Sequence, residues 1–150
     1  MMDLNKDFKE FIGLLNGNEV EYLLIGGYAV GFHGYPRFTQ DMDIWIARTE
    51  DNIRKLFKAM KEFGIPLKQL REKDFLKPNI IFQMGNPPYR IDILNAIGGV
   101  KFTGCYKRKN KIKVDDVTIN IISLKDLKKN KKVAGRLKDL NDLNYLKKNK

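Results

Sequence analysis

LLIGGYAVGFHGYPRFTQDMDIWI, residues 23–46, is the stretch on which the reading of this chain turns. It opens inside VEYLLIGG, a short apolar run ended by Gly26 and Gly27, the pattern of a buried strand entering a tight turn. A short helix fits about Tyr28 to His33. After the turn-like HGYPRFT, the segment DMDIWIA alternates strictly, with Asp41, Asp43 and Trp45 on one side and Met42, Ile44 and Ile46 on the other. That period predicts a second strand. The missing side chains of Gly26 and Gly27 let backbone N–H groups approach a phosphate closely, although glycine pairs after strands also serve as plain tight turns. A spacing of two on a strand puts Asp41 and Asp43 on the same face, within reach of one divalent ion.

Outward from this stretch, helical and strand patterns interleave, which predicts a mixed α/β domain of the α+β kind. Leu4, Phe8, Phe11, Ile12 and Leu15 fall at helical spacing, with Gly17 as a stop. Ile53, Leu56, Phe57, Met60 and Phe63 do the same over Asp51 to Phe63, before Gly64 and Pro66. Leu67 to Phe75 reads as a further helical stretch. NIIFQM and YRIDILN read as two strands joined by GNPP, and KIKV and VTINIIS as a second hairpin turning at Asp115 and Asp116. From Ser123, a good N-cap, two basic helices follow, broken at Gly135. Within RIDIL, Asp92 is a carboxylate flanked by Ile91 and Ile93. A charge there is costly unless it is paired or binds metal. Three carboxylates on neighbouring strands beside a phosphate-binding turn are what Mg²⁺-dependent phosphoryl or nucleotidyl transfer requires.

Composition bounds the rest. A chain of 150 residues supports one domain, residues 1–150, with a real core. No apolar run approaches the ~18 residues of a membrane span, and the polar N-terminus has no apolar region of the export type. One cysteine, Cys105, excludes a disulfide framework and a Cys-rich zinc site, so a cytoplasmic location is expected. The charge is unevenly spread. Residues 1–100 hold 13 Lys+Arg and 13 Asp+Glu, whereas residues 101–150 hold 16 and 5, so the net +11 lies in the last third. Such asymmetry suits a polyanionic partner such as RNA, and equally suits the solvated faces of Lys-rich helices. His33, the single histidine, has no second His or Cys nearby, which favours a turn or packing role over a metal ligand. Cys105 has no evident His base to make it a nucleophile. Trp45 shares a strand face with the aspartates and reads as a wall of the site.

The Gly-Gly turn, the Asp-X-Asp separated from Gly27 by thirteen residues and the later Asp92 resemble the signature of the polymerase beta type nucleotidyltransferase superfamily. The closest likeness is to small prokaryotic members, among them antibiotic nucleotidyltransferases, minimal nucleotidyltransferases paired with helical partner proteins, and abortive-infection toxins. The tail ISLKDLKKNKKVAGRLKDLNDLNYL is similar to the helices that close many of them, so the resemblance spans about residues 20–146. It implies a central mixed sheet of about four to six strands flanked by helices, with helices at the C-terminus. It also implies an NTP donor, two Mg²⁺ ions with Mn²⁺ as a substitute, and a hydroxyl acceptor on RNA, protein or a small molecule. Gly26 and Gly27 would lie beside the triphosphate, Asp41, Asp43 and Asp92 would be metal ligands, and Asp92 would also be the candidate general base. By weaker matching, Arg37, Lys131, Arg136 and Lys138 would face the nucleotide or its acceptor. The alternative is a catalytically silent module of the same fold that works as a binding or regulatory partner, such as one half of a toxin-antitoxin pair.

Overall fold

The computed structural model describes residues 4–35, 39–85 and 89–148. Helix α1 (Lys6–Gly17) starts at Asn5, whose side chain accepts a hydrogen bond from the Asp7 amide, and it buries Phe8, Phe11, Ile12 and Leu15 along one stripe. Strand β1 (Tyr22–Ile25) is buried along its whole length, as a central strand covered on both faces must be. Helix α2 (Gly26–Phe32) follows without a linker, and strand β2 (Asp41–Ile46) returns beside β1. Helix α3 (Glu50–Phe63) is capped by Thr49 and stopped by Gly64, which takes a left-handed φ of 99°.

A 3-10 turn, Glu72–Leu76, lies within the region where the spacing predicts a helix over Leu67 to Phe75. Phe75 is the one buried residue of that turn, so no continuous apolar stripe supports a longer helix. Strands β3 (Ile81–Met84) and β4 (Arg90–Leu94) pair antiparallel, and residues 86–88 of the expected GNPP connection lie outside the described residues. Helix α4 (Phe102–Lys107) is not evident in the sequence, where two glycines and a Lys-rich end mask its pattern. Strands β5 (Asn110–Val114) and β6 (Val117–Ile121) form the expected hairpin, with Asp115 at a positive φ of 57° in the turn. Helix α5 (Leu124–Ala134) is capped by Ser123 and stopped by Gly135, and α6 (Leu137–Lys148) closes the chain.

Among the described residues the six strands make one mixed sheet in the order β3-β4-β2-β1-β6-β5. β1 is antiparallel to β2 and parallel to β6, and β2 is parallel to β4. The sheet's two faces differ sharply. Tyr22, Leu24, Met42, Ile44, Ile46, Ile91, Ile93 and Ile119 share one face by register and are buried in the apolar core. Asn52 of α3 ties this layer together: its side chain accepts from the Glu21 amide and donates to the Glu21 and Ala47 carbonyls, at 2.7, 3.0 and 2.9 Å. The opposite face carries Asp41, Asp43 and Trp45, and it is there that the polar chemistry gathers.

Candidate active site

Register brings the three aspartates together. Ile25 stands opposite Asp43 across the β1–β2 pair, while Asp43 lies beside Asp92 and Asp41 beside Arg90 across the parallel β2–β4 pair. Register partners project to the same face, so residues 49 positions apart in sequence become neighbours. Asp92 is buried, whereas Asp41 is half-exposed at the strand's start. Gly26, one residue past the partner of Asp43, completes the arrangement. It has a positive φ of 69°, and a Cβ built on it would stand 2.1 Å from Asp43 Oδ2, so only glycine fits there. The turn and the carboxylate are therefore packed directly against one another. Gly27 beside it is buried.

The electrostatics follow from this crowding. Burial first, then the Asp92 and Asp41 carboxylates, push the Asp43 carboxyl up to about 6, while Lys138 and Lys131 pull it down. Arg90 binds the other two acids: its Nε lies 2.8 Å from Asp92 Oδ1, and its Nη2 lies 3.1 Å from Asp92 Oδ2 and 3.0 Å from Asp41 Oδ2. Arg90 was not singled out by the sequence. Its signal was there, because it shares a strand face with Asp92 at a spacing of two.

The C-terminal helices approach the same site. Lys131 is buried and paired with Asp139 and Asp142, each at 3.2 Å, so it clamps α5 to α6. Arg136 holds Asp139 from the exposed side through Nε at 2.6 Å. Lys138 is exposed, and its charge is felt at Asp43. Arg37 lies outside the described residues. Asp139 and Asp142 were also missed in the sequence, where they look like ordinary helix-surface acids.

The remaining candidates have packing roles. Trp45 is buried edge-on to Phe102, with ring centroids 5.1 Å apart, on the strand face that carries Asp43. Among the described residues its Nε1 is the buried side-chain polar atom without a hydrogen-bond partner. His33 donates from Nε2 to the Ile122 carbonyl at 2.7 Å. Cys105 is buried, and burial followed by the neighbouring Asp126 pushes its thiol up to about 11, far from nucleophilic use.

A three-carboxylate cluster on β2 and β4, beside a glycine turn and closed by two terminal helices, is the layout of a small nucleotidyltransferase-fold protein. Solved structures agree. The chain is similar to the lincosamide antibiotic adenylyltransferase LnuA in its lincomycin-bound crystal structure, at 17% identity over 96% of both chains with a TM-score of 0.58. It is also similar to an antigenic nucleotidyltransferase-like protein from Paracoccidioides brasiliensis, at 16% identity over 95% of this chain and 77% of that one, with a TM-score of 0.54. The sequence matches no protein-family model and no curated protein. These likenesses establish the fold. Among the described residues, no helix is long and apolar enough to cross a membrane.

Proposed function

We propose that this protein transfers an NMP group from an NTP to a hydroxyl acceptor and releases pyrophosphate, with divalent-cation dependence. The observation that carries the reading is Asp43, half-buried beside Asp92 and Asp41 and packed against Gly26. A carboxylate held among like charges is unfavourable by itself and fits a site built around a hard cation such as Mg²⁺ or Mn²⁺. Asp41, Asp43 and Asp92 would hold it. When bound, such ions neutralise charge on the transferring phosphate and activate the attacking oxygen.

The chain's own residues would do the rest. The amides of Gly26 and Gly27 would face the phosphates, since neither residue carries a side chain of its own to hold a ligand off. Arg136 and Lys138 add positive charge from α6 and the turn before it, with Lys131 behind them. Asp92 takes the proton of the acceptor hydroxyl. The acceptor oxygen then bonds to the α-phosphorus, the bond to the bridging oxygen breaks, and pyrophosphate carries the electron pair away. A small molecule, as in the lincosamide enzyme, or an RNA would supply the hydroxyl. A cytoplasmic protein fits such substrates.

The silent binding or regulatory module, such as half of a toxin-antitoxin pair, is favoured by one feature: Arg90 already neutralises Asp41 and Asp92 internally. Isothermal titration with each of the four NTPs, with Mg²⁺ or with EDTA, separates the two readings. Metal-dependent binding of one nucleotide, lost in Asp41→Asn, is the expected result and names the donor. Absence of binding under every condition would leave the silent module. A labelled-NTP assay then follows transfer, which Asp43→Asn should abolish.

A further inference from the structure

Arg90 stands where an ion would have to bind. Its guanidinium occupies both oxygens of Asp92 and one oxygen of Asp41, and makes no hydrogen bond to Asp43. Correspondingly, among the described residues no three acidic, His or Cys side chains converge into a ready metal cage. Two of the three carboxylates, Asp41 and Asp92, are instead held by a planar monocation at hydrogen-bond distance, and Asp43 lies beside them.

Two cations cannot use the same lone pairs. A guanidinium fork on a carboxylate is a strong, directional pair, and a small dication needs those oxygens in its own coordination shell. We propose that Arg90 is a positioning residue that acts as a resident counter-cation: it keeps Asp41 and Asp92 in place, competes with the divalent ion for them, and is displaced when that ion binds. The freed fork, half-buried at the site's mouth, is then available to phosphate oxygens, which match its geometry. Arg90 thereby sets the metal affinity of the site and couples metal loading to nucleotide binding. The inference rests on the transferase reading, since that reading supplies the divalent ion.

The test measures Mn²⁺ binding to the full chain without nucleotide, from the electron paramagnetic resonance of the free ion. Wild type, Arg90→Gln, Arg90→Lys and Asp43→Asn are compared, with circular dichroism as the folding control. Arg90→Gln is expected to bind Mn²⁺ about tenfold more tightly than wild type, a coupling of ordinary size. Arg90→Lys, which keeps the charge but loses the fork, should fall between them, and Asp43→Asn should bind more weakly than wild type. A purely structural brace would give the opposite sign, because losing it would loosen the ligands. In wild type itself, the Nε–Hε resonance of Arg90, assigned by its loss in Arg90→Lys, should shift on saturation with Mg²⁺, which decides the matter even if Arg90→Gln fails to fold. Unchanged or weaker Mn²⁺ binding in folded Arg90→Gln, or an unmoved Arg90 resonance, overturns the counter-cation role and leaves the transferase reading standing. If neither wild type nor any variant binds Mn²⁺, both fall.

Discussion

Asp43 sits among carboxylates of its own charge. Partial burial, and then the neighbouring Asp92 and Asp41, push its carboxyl up from the ordinary 3.8 to about 6. Between those two values the folded state binds more protons than the unfolded one, so stability falls as pH rises through that window. Above it the native state carries the whole penalty. Asp43→Asn removes the titrating group and is expected to be more stable than wild type at pH about 7.5 by on the order of 2 kcal/mol, with little difference at pH about 4. Urea denaturation at the two pH values checks this. Equal or lower stability of the variant at the higher pH would mean that the crowding is relieved by some other group. A gain in stability together with loss of transfer is the pattern of a residue held against its own preference for chemistry.

Helices α5 and α6 are joined by charge as much as by packing. Lys131 reaches Asp139 and Asp142 in a buried cluster, and the Arg136 fork braces Asp139 from outside. Removing one partner of a buried pair strands the others, so Lys131→Met should destabilise the chain by about 3 kcal/mol. Lys138, next to Asp139 in α6 and exposed, should behave differently. Lys138→Ala is expected to leave stability within about 0.5 kcal/mol of wild type, as at other surface positions, while weakening nucleotide binding. Chemical denaturation beside nucleotide titration distinguishes the two. If Lys138→Ala unfolds the protein as readily as Lys131→Met, then α6 has no free face for a ligand.

At the scale of the whole molecule, the net charge of +11 lies in the last third of the chain. Lys125, Lys128, Lys129, Lys132 and Lys147 rim a groove of about 720 Å³ with Leu124 and Leu143 in it. Such a rim is expected to attract a polyanion through counterion release. Single-stranded RNA should therefore bind with an affinity that falls between about 50 and 200 mM salt, and Lys128→Gln with Lys132→Gln should reduce the log–log slope by roughly 1.4. Fluorescence anisotropy across that salt range measures both. An affinity that is flat with salt removes RNA as the acceptor and leaves the small molecule.

Most of the elements, and the three aspartates of the site, are legible in the sequence alone. Alternation in DMDIWI put Asp41 and Asp43 on one face, the apolar stripe of Phe8, Phe11, Ile12 and Leu15 defined α1, and Ser123 and Gly135 bounded α5, because these patterns depend on neighbours within a turn or two. The Leu67 to Phe75 stretch forms a shorter 3-10 turn than its spacing predicts, and α4 is not legible in the sequence, for the same reason: short segments with few apolar positions take their shape from what they pack against. Only the tertiary structure decided that Asp92 stands beside Asp43, that Arg90 binds two of the three acids, and that Lys131 is committed to Asp139 and Asp142. Those relations depend on strand order, register and helix docking. Local periodicity carries none of that information, since the pairing of distant segments is fixed by the burial of the whole sheet.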